Sequence, residues 1–150
     1  MGDPKRIVAE ALIEHGGAVF EPAGGPTGVH FVVRGHEGQY IEVLTRWPEA
    51  RTPPRLFRMR RFRPRPHLFI VCVTWEEDEF WVLPSGVFER FAAGAPAGEQ
   101  WDLDLDASDV EPLAERLTVY RNRWNLITQF SKFHSTMSDP LALQVRLAMG

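Results

Sequence analysis

The sequence predicts a mixed α/β fold in which a central mixed sheet is flanked by helices and followed by a C-terminal helix. Three observations carry this. An amphipathic segment with helix start and stop signals opens the chain, two strand-like runs rich in β-branched and aromatic residues follow it, and an apolar run, Leu68 to Val73, sits at mid-chain.

The first helix has Asp3 as cap, Pro4 in the first turn and Gly16-Gly17 as stop, with Ile7, Val8, Ala11 and Leu12 on one face. Val19-Phe20 begins a short strand. The stretch from Glu21 to Gly28, with three glycines and two prolines, is a loop. Val29 to Val33 and Gln39 to Leu44 form a hairpin around Gly35 to Gly38. Arg55 to Phe62 reads as a short helix or a basic turn. His67 to Trp75 is a strand buried on both faces, and Phe80 to Leu83 is its hairpin partner across the acidic turn Glu76 to Glu79. Ala92 to Gly98 is a linker. Trp101 to Asp106 alternates apolar and acidic side chains as an edge strand does. A long closing helix is expected from Ser108 or Asp109, because Val110, Leu113, Leu117, Tyr120, Trp124, Ile127 and Phe130 recur every three or four residues. The chain is read as one domain, 1–150: a core over about 3–91, the acidic edge strand and closing helix over about 101–133, and a tail over 134–150.

Composition narrows the function classes. At 44% apolar and 25% charged residues the chain has ordinary globular usage, which argues against disorder. Its one cysteine, Cys72, lies within the apolar run, which excludes an intrachain disulfide and suits a buried, inert thiol. A continuous apolar stretch of membrane-spanning length is absent from the sequence, and the charged first residues do not read as a signal peptide; a cytoplasmic protein without a membrane partner is expected.

The formal net charge of −3 hides an asymmetry. Eight arginines (46, 51, 55, 58, 60, 61, 63 and 65) crowd into residues 46–65, whereas acids accumulate at positions 76–79 and at 102, 104 and 106. Two readings of the block stand. Arg46, Arg55, Arg58, Arg60, Arg61, Arg63 and Arg65 form a basic face for the phosphates of DNA or RNA, with Phe57 or Phe62 stacking on a base. Alternatively, the basic and acidic blocks neutralise each other within the fold.

The order helix, strand, hairpin, connecting helix, strand, strand resembles the restriction-endonuclease-like PD-(D/E)XK superfamily, in particular its small prokaryotic domains. The likeness rests mainly on Val29-His30-Phe31-Val32-Val33 and Tyr40-Ile41-Glu42-Val43-Leu44-Thr45. Active members place an aspartate on the first of these strands, then a glutamate or glutamine, one spacer and a lysine on the second. Glu42 matches the acid, His30 stands at the aspartate position and Leu44 at the lysine position. The resemblance implies a restriction-endonuclease-like core. If the site is active, it implies a metal centre for Mg²⁺ or Mn²⁺ built from Glu10, His30 and Glu42, with Arg34 or Arg46 supplying positive charge. If it is not, no cofactor is implied.

Two departures from the signature favour a degenerate nuclease-like domain that binds nucleic acid non-specifically or serves as a scaffold. An active metal-dependent nuclease using Glu10, His30 and Glu42 is one alternative. The other is an interaction or homodimerisation module, suggested by the five tryptophans and by Tyr120, Trp124 and Phe130 of the closing helix with the apolar tail. Each candidate also has a plainer role: Glu42 as a solvated strand residue, His30 as a hydrogen-bonded half-buried histidine, Glu10 as the polar face of a helix.

Overall fold

A computed structural model describes residues 2–22, 29–92, 99–107 and 111–149. The expected loop positions 23–28, linker positions 93–98 and closing-helix start at 108–110 lie outside the described residues.

Helix α1 (Pro4–Glu14) starts as its sequence predicts: the Asp3 side chain accepts from the Lys5 N–H, and Gly16, at φ +92°, turns the chain away at the end. Strands β1 (Ala18–Phe20), β2 (Phe31–Arg34), β3 (Tyr40–Arg46), β5 (Leu68–Val73) and β6 (Phe80–Pro84) form a five-stranded sheet in the order β1-β2-β3-β5-β6. Its neighbours are antiparallel except β3 and β5, which are parallel. Every residue of β5 is buried, as its unbroken apolar run predicts.

One face of the sheet, carrying Phe31, Val33, Ile41, Val43, Phe69 and Val71, is covered by α1 and the C-terminal helices. Gly35 brings the hairpin turn against the helices: a Cβ there would stand 2.6 Å from the Thr128 carbonyl oxygen, which accepts the His36 N–H.

On the opposite face helix α2 (Ser85–Phe91) covers β5 and β6, and a two-stranded ribbon of β4 (Leu56–Arg60) and β7 (Gln100–Asp104) packs on β3 through β4 and on α2 through β7. This corrects the expected helix or turn over 55–62. The spacing of Leu56, Phe57, Met59 and Phe62 fits a helix, yet the segment alternates, with Phe57 and Met59 inward and Arg58 and Arg60 outward. Its partner decides between the two. Phe57 faces Leu103 and Met59 faces Trp101, so two apolar pairs turn inward while Arg58 meets Asp102 outside.

The closing helix is corrected as well. Its apolar period continues, but the backbone divides into α3 (Leu113–Arg116), a 3₁₀ turn (Thr118–Tyr120), α4 (Asn125–Thr128) and α5 (Phe130–Phe133). The break lies at Arg121 and Asn122: Arg121 bridges to Trp81, and Asn122, at φ +54°, donates its N–H to the Phe80 carbonyl at 2.7 Å. A tertiary hydrogen bond thus outcompetes the helical one. Tyr120, Trp124 and Phe130 are buried, so they belong to the core and not to a docking face. Helix α6 (Pro140–Ala148), capped by Asp139, ends the described chain.

Candidate nucleic-acid interface

On one sheet face helix α2 covers β5 and β6 and β4 packs on β3, whereas among the described residues the side chains that β1, β2 and the start of β3 present on this face stay exposed or half-buried. Alternation decides which side chains it presents, because cross-strand partners share a face. One row is Phe20, Val32 and Glu42; the next is Ala18, Arg34 and Tyr40; Leu44 and Arg46 follow Glu42 along β3. All are exposed or half-buried, whereas the intervening residues of β2 and β3 are buried.

Glu42 is the acid of this face. Its Oε1 accepts the Nε–H of Arg65 at 2.8 Å, with 33% of the Glu42 and 43% of the Arg65 side chain exposed. Arg65 is held in place by Ser85, which is 1% exposed. The Ser85 hydroxyl accepts the Arg65 N–H at 3.0 Å and donates to the Arg65 carbonyl at 2.7 Å. The hydrogen bond to Glu42 raises the Arg65 pKa, so the guanidinium stays charged across the usable pH range.

His30 sits just before β2 begins, where the ladder ends: its Nδ1 accepts the backbone N–H of Thr45 at 3.0 Å. Burial first, then the charges of Lys5 and Arg46, lower its pKa. A neutral imidazole whose Nδ1 accepts carries its proton on Nε2. His30 therefore offers an N–H, not a lone pair, to anything that approaches. Its ring lies 6.3 Å from Trp47, and it lines an open groove of about 520 Å³ with Lys5, Arg6 and Glu21.

Glu10 stands on the solvated face of α1 beside Arg6, 3.7 Å away. Among the described residues no three His, Cys, Asp or Glu side chains come together as a metal site. The donor chemistry agrees: the Glu42 carboxylate is taken by a guanidinium, His30 presents a donor, and Leu44 brings no amine. The expected trio Glu10, His30 and Glu42 is not assembled, and these residues do not fit a Mg²⁺ or Mn²⁺ centre.

The arginine block divides. Arg55 spans Asp106 and Glu79 and is only 24% exposed, and Arg58 pairs with Asp102 at 3.2 Å and Glu49 at 3.7 Å. For these two the neutralising reading holds. Arg60 has only a loose, exposed contact with Glu99 at 3.9 Å. Arg46 donates to the Arg58 carbonyl and lies over Trp47, and Arg61 lies over Trp101. Arg34 and Arg63 are exposed, with no carboxylate partner among the described residues. Phe57 is fully buried, and Phe62 packs on Phe88 and Trp101, so the expected stacking residues are engaged in the core. The exposed aromatics are instead Phe20 and Tyr40, which sequence reading passed over. Their signal was the alternation of the strands that carry them.

No protein-family model and no curated protein matches the chain. Among solved structures, that of a bacterial homing endonuclease superposes with a TM-score of 0.59 over 87% of this chain and 94% of the other, at 22% sequence identity. The chain therefore has a nuclease-like fold: a mixed sheet flanked by helices, closed by a C-terminal helix.

Proposed function

We propose that this chain is a degenerate relative of the PD-(D/E)XK nucleases that binds nucleic acid non-specifically through the phosphate backbone, as a holding or scaffolding domain. The observation that supports this is the Glu42–Arg65 contact, in which a guanidinium engages the carboxylate that a nuclease of this class would use for a metal. Leu44, at the lysine position, cannot deprotonate water. The nuclease-like fold supports nucleic acid as the ligand class, and Arg34, Arg46 and Arg63 supply cations not neutralised by described carboxylates.

Phosphate contacts release counterions, so the affinity falls with salt by about 0.9 log units per contact for each log unit of salt. Binding of labelled duplex and single-stranded DNA and RNA across a salt series tests the reading. A steep slope that flattens in the Arg34→Ala, Arg46→Ala, Arg63→Ala triple variant supports it, and a chain that binds none of these strands at low salt contradicts it.

A second reading, a homodimerisation module, is favoured by one observation. Leu141 and Val145 of α6 and Met149 at its C-cap, spaced four apart, are 74%, 60% and 79% exposed. Sedimentation of wild type and Val145→Glu at matched concentrations decides it.

A further inference from the structure

The open face of β1–β3 is more specific than a basic surface. Phe20 and Tyr40 are 50% and 59% exposed and stand on the same face, in adjacent rows and on strands separated by β2. Arg34 lies between the strands that carry them, directly paired with Ala18 on one side and Tyr40 on the other. Its guanidinium extends over Gly38, where a Cβ would stand 3.6 Å from Nη2, so the side chain rests on this face beside the hairpin turn. Strand spacing and rise put Phe20 and Tyr40 about 12 Å apart, two strand widths across and two residues along. A single base cannot touch both.

We infer that this face is a stacking platform for single-stranded nucleic acid, in which Phe20 and Tyr40 each receive one unpaired base and Arg34, beside Tyr40 at the hairpin turn, meets a backbone phosphate. The inference rests on the proposed nucleic-acid reading and narrows it from any nucleic acid to an unpaired strand. The physical grounds are two. Every base has a π-face and aromatic side chains stack on it without regard to sequence, whereas a duplex keeps its faces stacked internally and presents only edges and phosphates. Two exposed rings with a cation beside one of them on a sheet face match the first and not the second. Charge agrees: along the row Ala18, Arg34 and Tyr40 the only charge is positive, and the neighbouring acid, Glu42, is neutralised by Arg65.

DNA and RNA strands share this chemistry, so the test carries both. Fluorescence anisotropy is read with labelled oligo-dT, oligo-U, an abasic strand and a duplex of equal length. Both base-bearing strands are expected to bind more tightly than the abasic strand and the duplex. Phe20→Ala and Tyr40→Ala are each expected to weaken single-strand binding about 5- to 150-fold with an unchanged salt slope. Arg34→Ala is expected to lower that slope by about 1. Phe20→Tyr and Tyr40→Phe keep the π-face and are expected to retain binding, which separates stacking from a folding defect.

Equal affinity for duplex and single strand, or for abasic and base-bearing strands, overturns the platform while leaving phosphate binding in place. So does a pair of alanine variants that bind as wild type, or that change only the sedimentation of the protein. Failure of wild type to bind any strand overturns both the platform and the reading beneath it.

Discussion

Arg65 donates its Nε–H to Oε1 of Glu42 across 2.8 Å, joining a residue set between Pro64 and Pro66 in the β4–β5 linker to β3. The register makes the contact consequential. Glu42 pairs with Val32 on one side and Leu68 on the other, so its carboxylate stands at the border between the open sheet face and the covered one. A cation planted there changes the acid from a candidate ligand into half of an ion pair.

Ser85 fixes that cation through the backbone. Ser85→Ala leaves the Arg65 N–H without its partner in a buried place and is expected to cost about 1–3 kcal/mol. The urea midpoint should fall with the slope of the transition unchanged.

The two kinds of arginine separate by readout. Arg55→Ala removes the bridge between Asp106 and Glu79 and is expected to lower stability by about 1–3 kcal/mol with little effect on binding. Arg63→Ala is expected to leave stability within about 0.5 kcal/mol while lowering the salt slope of nucleic-acid binding by about 1. Thermal melts and a salt series on the same two variants check both halves.

His30 gives a pH signature. Its folded pKa lies below the ordinary value of 6.5, so between that value and the lower folded one the unfolded chain binds a proton that the folded chain refuses. The contribution of His30 is therefore fully present above pH 6.5 and is lost as pH falls toward the folded pKa. His30→Gln is expected to flatten the fall of stability as pH drops below 6.5, measured by urea titration at each pH against wild type.

Cys72 reports on the sheet. Burial raises its thiol pKa and the side chain is fully enclosed in β5, so a thiol reagent is expected to label it only as fast as the protein opens. Rapid labelling under native conditions would contradict the burial of β5 on both faces.

Much of this was legible locally. The cap at Asp3, the turn at Gly35 to Gly38 and the apolar run of β5 each specify an element from its own residues. What the sequence concealed depends on distant partners. The segment of β4 has apolar residues that fit a helix and becomes a strand only because β7, over 40 residues on, supplies Trp101 and Leu103 opposite Met59 and Phe57. The closing helix breaks because Asn122 hydrogen-bonds to Phe80. At the site, the strand positions of His30, Glu42 and Leu44 follow from alternation, but the capture of Glu42 by a residue 23 positions away does not. The arginines look alike in sequence, and only their tertiary pairings show which of them face acids.

The most direct test is one gel of labelled DNA at low and moderate salt, with and without Mg²⁺ or Mn²⁺, scored for both shift and cleavage in wild type and Glu42→Ala. The account predicts a salt-sensitive shift of similar strength in both proteins and intact DNA in every lane. Metal-dependent cleavage by wild type that disappears in Glu42→Ala would contradict it, and would make Glu42 a metal ligand that releases Arg65 when substrate binds.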